Sequence, residues 1–248
     1  MKKLLLNLCL LALLMPGFSQ TVFVSSGKIE FERKVNQHRQ MFTGEDGDWV
    51  QEFKKIVPQF RTDYFNLTFN ENKSLYTIGK EDDNKAQQFF NNPAMDNVVY
   101  KDFSTKTAIS NKSVFEAKFL LTDSLTDRKW RLEPETRTIA GFECRKAVTT
   151  ICDSVVVVAF YTDQIIPQAG PESFSGLPGM ILGLAIPRLY TTWFATKLET
   201  INAADEAKII PPSKGKKATS VDMSATISKA IQQWGVKYRD RSIWSVTL

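Results

Sequence analysis

Histidine is almost absent from this chain: its 248 residues hold one, His38. Any reaction that needs an imidazole base beside a serine or cysteine nucleophile must use that residue. It stands at the end of an alternating stretch, and no nucleophile elbow is found in the sequence. Cysteine is nearly as scarce, with three in all. Cys9 lies inside an apolar leader without the small residues that precede a lipid-attachment cysteine. Cys144 and Cys152 have no metal-ligand spacing, and with one histidine no zinc set can be assembled. If both lie on one extended strand, their Cα atoms stand about 26 Å apart at ~3.3 Å per residue. A disulfide tolerates about 7 Å, so two free thiols are expected unless the chain turns near Val148-Thr149. After the leader, no apolar run reaches the length of a membrane helix. The charge excess is also small. Of the formal +5, two charges, Lys2 and Lys3, belong to the leader, and the rest is too weak to point to nucleic acid. No metal, no cofactor and no nucleic-acid partner is expected.

What is present begins with that leader. Met1-Lys-Lys is followed by an apolar stretch from Leu4 to Met15 and a break at Pro16-Gly17. This is the pattern of a secretory signal peptide over residues 1–20. The remaining 21–248 are expected to be exported to the periplasm or the outer surface as one antiparallel β domain with a C-terminal helix near 221–234. Lys28 to Val35 alternates, placing Ile29, Phe31, Arg33 and Val35 on one face of a strand. Trp49, Val50, Phe53, Ile56 and Val57 recur at helical spacing behind Asp48, a helix cap, and predict a short amphipathic helix over about 48–57, expected to pack on the core, with a mobile lid over a cavity as the alternative. Asp63–Phe69 and Ser74–Ile78 form a hairpin. Glu81-Asp82-Asp83 tips a long polar loop over 79–97 and reads as a solvated charge run, since calcium-loop spacing is missing. Further strands follow at Val98–Phe103, Lys106–Ile109, Val114–Leu121, Arg128–Leu132, Arg137–Val148, Val155–Tyr161, Met180–Ile186 and Tyr190–Leu198. Residues 209–218 read as an exposed basic linker. Strands at this spacing with few helices describe one strongly curved antiparallel sheet, a half-barrel. Its element order resembles that of lipoprotein-carrier proteins.

The most constrained stretch is Gly170 to Leu182. Gly170, Pro171, Gly176, Leu177, Pro178 and Gly179 lie within ten positions, and Leu177-Pro178-Gly179-Met180 predicts a type II turn with Gly179 at φ > 0. Phe174 and Leu177 are too large and apolar for an exposed loop, so this stretch is expected to be an internal corner. Glu172 is its one acid, expected to hydrogen-bond turn amides.

Gly176-Leu-Pro-Gly-Met-Ile181, with Trp130, Thr138–Ala147, Phe160-Tyr-Thr162 and Gly170-Pro171 upstream, resembles the GLPGLI family of exported Bacteroidetes-type proteins. That resemblance implies an exported protein of unassigned function. With no catalytic constellation in view, the chain is expected to be non-enzymatic. Its concave face would bind a hydrophobic ligand, or a lipidated or peptide partner, on Phe160, Phe174, Leu177, Met180 and Trp193. The alternative is an interaction module docking on an outer-membrane transporter or secretion component, through Lys214–Lys217 and the aromatic tail. A hydrolase ranks last, with Glu172 the acid to test first.

Overall fold

The computed structural model describes residues 23–80, 96–114, 117–232 and 236–248. The leader and the acidic loop tip fall outside them. The described residues form one open twelve-stranded sheet in the order β12-β6-β5-β4-β3-β2-β1-β11-β10-β9-β8-β7. Ten neighbouring pairs are antiparallel. The exception is β12, Lys216–Ala218, which runs parallel to β6 and makes the sheet mixed. It lies inside the stretch expected to be a plain linker.

Alternation sets the inner face. In β1 (Gly27–Asn36) Ile29, Phe31, Arg33 and Val35 are buried, as the period of two requires. β2 (Phe60–Phe69) and β3 (Lys73–Lys80) turn Asp63, Phe65, Leu67, Phe69, Ser74 and Tyr76 to the same side. β4 (Val98–Asp102) and β5 (Thr107–Val114) carry buried Lys101 and Lys112. β6 is Ala117–Ser124, so β5 and β6 divide a stretch that reads as one strand from Val114. Arg137–Val148 is divided as well. Ala140 and Gly141, at φ 49° and 86°, form a two-residue turn between β7 (Arg131–Ile139) and β8 (Phe142–Ile151). β8 meets β9 (Val155–Thr162) through Cys152-Asp153, again at positive φ. Cys144 is buried in β8, Cys152 is exposed in that turn, and both are free. β10 (Met180–Ile186) is buried on both faces and pairs with β11 (Thr191–Glu199).

The sheet curls strongly. β5 and β8 are eight steps apart in strand order, about 38 Å if flat at ~4.8 Å per step, yet both line a single cavity. The segment between β9 and β10, residues 163–179, fills the hollow of the curl and is bonded from β1, β4 and the 125–130 crossover. Its core combines Phe31, Phe65, Phe174, Leu177, Met180 and Trp193. A second core joins Phe119 and Leu121 of β6 to Met223, Ile227 and Ile231. The last three belong to α4 (Ser220–Ala230) and the residue that follows it, and α4 is held by a Thr219/Asp222 capping box. The last residues form α5, Val236–Thr247, in place of an irregular tail.

One helix departs from its expected role. α1 is Gln37–Phe42 and α2 is Asp48–Ile56. Of the expected core stripe on α2, only Val50 and the following Val57 are buried, while Trp49, Phe53 and Ile56 are 53%, 42% and 71% exposed. Trp49 and Phe53 pack on each other and on Phe42, at the outer end of the sheet. α3 is the short turn Ala203–Glu206.

Candidate functional site

The buried loop is organised by charge. Lys101, from β4, donates through Nζ to the carbonyl oxygens of Gly170 and Phe174 at 3.0 and 2.6 Å. Burial, helped by the nearby Arg128 charge, pulls its pKa down to about 7. Glu172 stands in the left-handed region at φ 52° and is buried. Its Oε2 accepts from Asn97 Nδ2 at 2.8 Å, and its Oε1 lies 3.9 Å from Arg33 Nη1. Burial raises the Glu172 pKa, against the pull of Arg33 and Asn97. So the acid expected on turn amides is instead gripped by side chains from other elements. Arg33 donates to Asp63 at 2.9 Å and lies over the Phe65 ring, which stacks on Tyr76. His38 sits in α1, with Nε2 2.6 Å from Val57 O, and joins no charged cluster.

The corner at 177–179 is tighter than a type II turn. The Gly179 N–H bonds Leu177 O at 2.7 Å, an i→i+2 closure around Pro178 that defines a γ-turn. Gly179 keeps its expected positive φ, at 131°. A Cβ there would meet Thr162 O at 2.0 Å, so β9 backbone packs where any side chain would start. Gly170, Pro171, Leu177 and Gly179 are buried, whereas Gly176 and Pro178 are exposed.

Beside this loop lies a cavity of about 940 Å³ between the two wings of the sheet. β5 contributes Ser110 and Lys112, β6 contributes Asp123, the crossover contributes Asp127 and Arg128, and β8 contributes Thr149. Ser173 of the buried loop and Thr247 and Leu248 also line it. Lys112 Nζ donates to Val246 O at 2.7 Å, and burial pulls its pKa down to about 8. Arg128 Nη2 donates to Ser173 Oγ at 2.7 Å, its guanidinium covers the Phe174 ring at 4.6 Å, and its Nε has no partner. Asp123 accepts from Ser220 Oγ at 2.6 Å. The site is therefore mixed: hydroxyls, the carboxylates of Asp123 and Asp127 and the cations Lys112, Arg128, Lys129 and Arg131 stand among apolar groups such as Val99, Val148 and Ile151. Among the described residues no cluster of potential metal ligands occurs.

The expected ligand-binding residues lie elsewhere. Phe160, Phe174, Leu177, Met180 and Trp193 are all buried in the main core, and none lines the cavity. The residues that do line it carry no motif. Lys112 and Arg128 fall in unremarkable polar stretches. Alternation puts Lys101 on the inward face with Val99, but Lys101 holds the loop and does not line the cavity.

A family model described as N-glycanase peptide, N-terminal domain, matches residues 58–225. The chain belongs to that family. The match runs from β2 into α4 and includes the Gly176–Ile181 stretch, so the GLPGLI resemblance is corrected. The expectation of a non-enzymatic binder of hydrophobic ligands or of an outer-membrane partner is corrected with it. The matching model is named for the N-terminal domain of an N-glycanase, and the aromatic groups meant to hold an acyl chain are spent on the core instead of the open cavity. Structures of PNGF-II share the fold. The C2 crystal form gives a TM-score of 0.52 at 15% identity, covering 90% of this chain and 33% of that one. The P21 form gives 0.52 at 16% identity, covering 81% and 33%. This chain thus spans about a third of the length of those PNGF-II chains. No curated protein matches it in sequence.

Proposed function

We propose that this chain acts on N-linked glycans as an N-glycanase-type hydrolytic protein, with the cavity between the wings of the sheet as its carbohydrate cleft. The family match over residues 58–225 carries the reading, because that span holds nearly every wall of the cavity. The chemistry of the lining supports it. Sugars bind through hydroxyl hydrogen bonds: Ser110 and Ser173 can donate, while Thr149 and Thr247, which donate to Lys129 O and Ile243 O, offer acceptor oxygens. Asp123 and Asp127 bring to the same cavity the side chains that activate water or protonate a leaving group. Export by the leader, to the periplasm or the outer surface, would put the chain where glycoproteins outside the cytoplasm are met.

The test uses this chain by itself. Purified protein is incubated with an unfolded N-glycosylated protein, and glycan loss is followed by intact mass. In parallel, a neutral N-glycan is titrated calorimetrically. Saturable binding, with release abolished in Asp127→Asn, is the expected result. A folded chain that neither binds nor releases neutral N-glycans overturns the reading.

A further inference from the structure

The interior of the curl carries more positive charge than its carboxylates balance. Arg33, Lys101 and Lys112 are buried, and Arg128 is half-buried beside them. The buried acids are Asp63 and Glu172. Asp63 is taken by Arg33 and also by Arg61, at 3.0 Å. Glu172 is bonded by Asn97, lies 3.9 Å from Arg33 and also feels the charges of Lys101 and Lys112, without forming an ion pair with either lysine. Lys101 spends its donors on two loop carbonyls. That leaves Lys112 and Arg128, and both line the cavity. Each donates one hydrogen bond, Lys112 to Val246 O and Arg128 to Ser173 Oγ, although an ammonium has three donors and a guanidinium five. The buried Arg128 Nε is unpartnered. Buried charge is normally matched by an opposite charge. Of the two cavity carboxylates, Asp123 is engaged by Ser220 and acts on Lys112 only through space, and neither it nor Asp127 forms an ion pair with Lys112 or Arg128.

We propose that Lys112 and Arg128 form an oxyanion subsite of the cavity, which takes a glycan whose sugar carries a carboxylate. This rests on the glycan reading above and narrows its substrate class to acidic glycans. A planar guanidinium matches a carboxylate with two parallel bonds, and Lys112 adds a point charge. The hydroxyls of Ser173 and Thr149 stand on the same walls for the neutral part of the ring.

The experiment is a calorimetric titration of the full chain with a sialylated N-glycan and with the same glycan after desialylation, at low and high salt. At least tenfold tighter binding of the sialylated form is expected, falling as salt rises. Inorganic phosphate, as competitor, should bring the sialylated glycan down to the affinity of the neutral one. Arg128→Gln and Lys112→Met should each remove the preference, and Lys112→Arg should keep it. Equal affinities for the two glycans overturn the subsite while leaving the glycan reading standing, and so does phosphate binding without discrimination between them. Failure of both glycans to bind sinks the two readings together. Melting curves of the variants guard against misfolding, and Lys112→Met, which removes a desolvated charge, should melt no lower than the parent.

Discussion

Lys101 and Phe174 are joined by a 2.6 Å bond from a buried ammonium to a loop carbonyl, seventy-three residues apart. With the second bond to Gly170 O it ties strand β4 to the loop that fills the sheet. This pins the loop with a charge that burial disfavours, and the consequence is a pH dependence of unusual sign. The folded-state pKa of Lys101, about 7, lies below its ordinary 10.5. Between these values the unfolded chain binds the proton and the folded chain does not, so stability rises with pH. Lys112, at about 8, acts in the same direction. Glu172, whose pKa is raised, works oppositely from its ordinary 4.5 upward, and Cys144, pushed up to about 12, does so above 9. The cleanest window is therefore pH 7 to 9. Urea unfolding there should show stability increasing by up to about 1.4 kcal/mol per pH unit for each of the two lysines, and Lys101→Met should reduce the rise to the share of Lys112. A parent protein that loses stability across that window contradicts the buried ammonium.

Two glycines of the same loop should respond differently to alanine. At Gly179 a Cβ meets the Thr162 carbonyl at 2.0 Å, and φ is 131°. Strain and overlap together should cost at least about 2 kcal/mol. At Gly176, with φ 87° and nothing within 4 Å, only the left-handed penalty applies, about 1 kcal/mol. Denaturant midpoints of Gly179→Ala and Gly176→Ala measure the difference. Equal costs would mean that β9 does not pack against the corner.

The Arg33–Asp63 pair should behave as a buried ion pair whose loss is asymmetric. Asp63→Ala removes the shorter of the Arg33 guanidinium's two carboxylate contacts, leaving Glu172 at 3.9 Å, and should cost about 3 kcal/mol. Replacing both, as Arg33→Met with Asp63→Leu, should recover most of that loss, since Phe65 and Tyr76 offer an apolar seat. A double variant no more stable than Asp63→Ala would show that the charges are needed to hold Glu172 and the loop.

How far the fold could be read depended on period. Alternation in Lys28–Val35 and the unbroken apolar run Met180–Ile186 specify their burial directly, and both strands appear where expected. Turns without strong markers were hidden. Ala140-Gly141 splits a stretch of continuous strand pattern, because alanine at φ 49° gives no compositional hint. β12 was masked by its lysines, since a three-residue edge strand needs no apolar face. The α2 stripe has helical spacing but little to pack on. Ile56→Ser, at 71% exposure, should change stability by less than about 0.5 kcal/mol, where a core position would lose 2–5 kcal/mol. The cavity was the least legible part. Its charges come from β5, β6, β8 and a crossover, and only the curl of the sheet brings them together.

The two thiols offer a direct probe of that cavity. Cys144 is buried in β8, and burial pushes its pKa up to about 12, so its reactive thiolate is scarce in the folded state. Cys152 is exposed in the β8–β9 turn and lines the cavity, with Sγ 3.6 Å from Thr247 Oγ1. Of this pair, the native protein should take a single maleimide, at Cys152, and the second should react only after unfolding. A bulky label at Cys152 should then weaken glycan binding, and saturating glycan should slow the labelling several-fold. Intact-mass time courses with and without a sialylated N-glycan read both effects. Labelling of Cys144 at a comparable rate would show that β8 opens in the native state. A glycan that binds without protecting Cys152 would place the carbohydrate somewhere other than between the wings of the sheet.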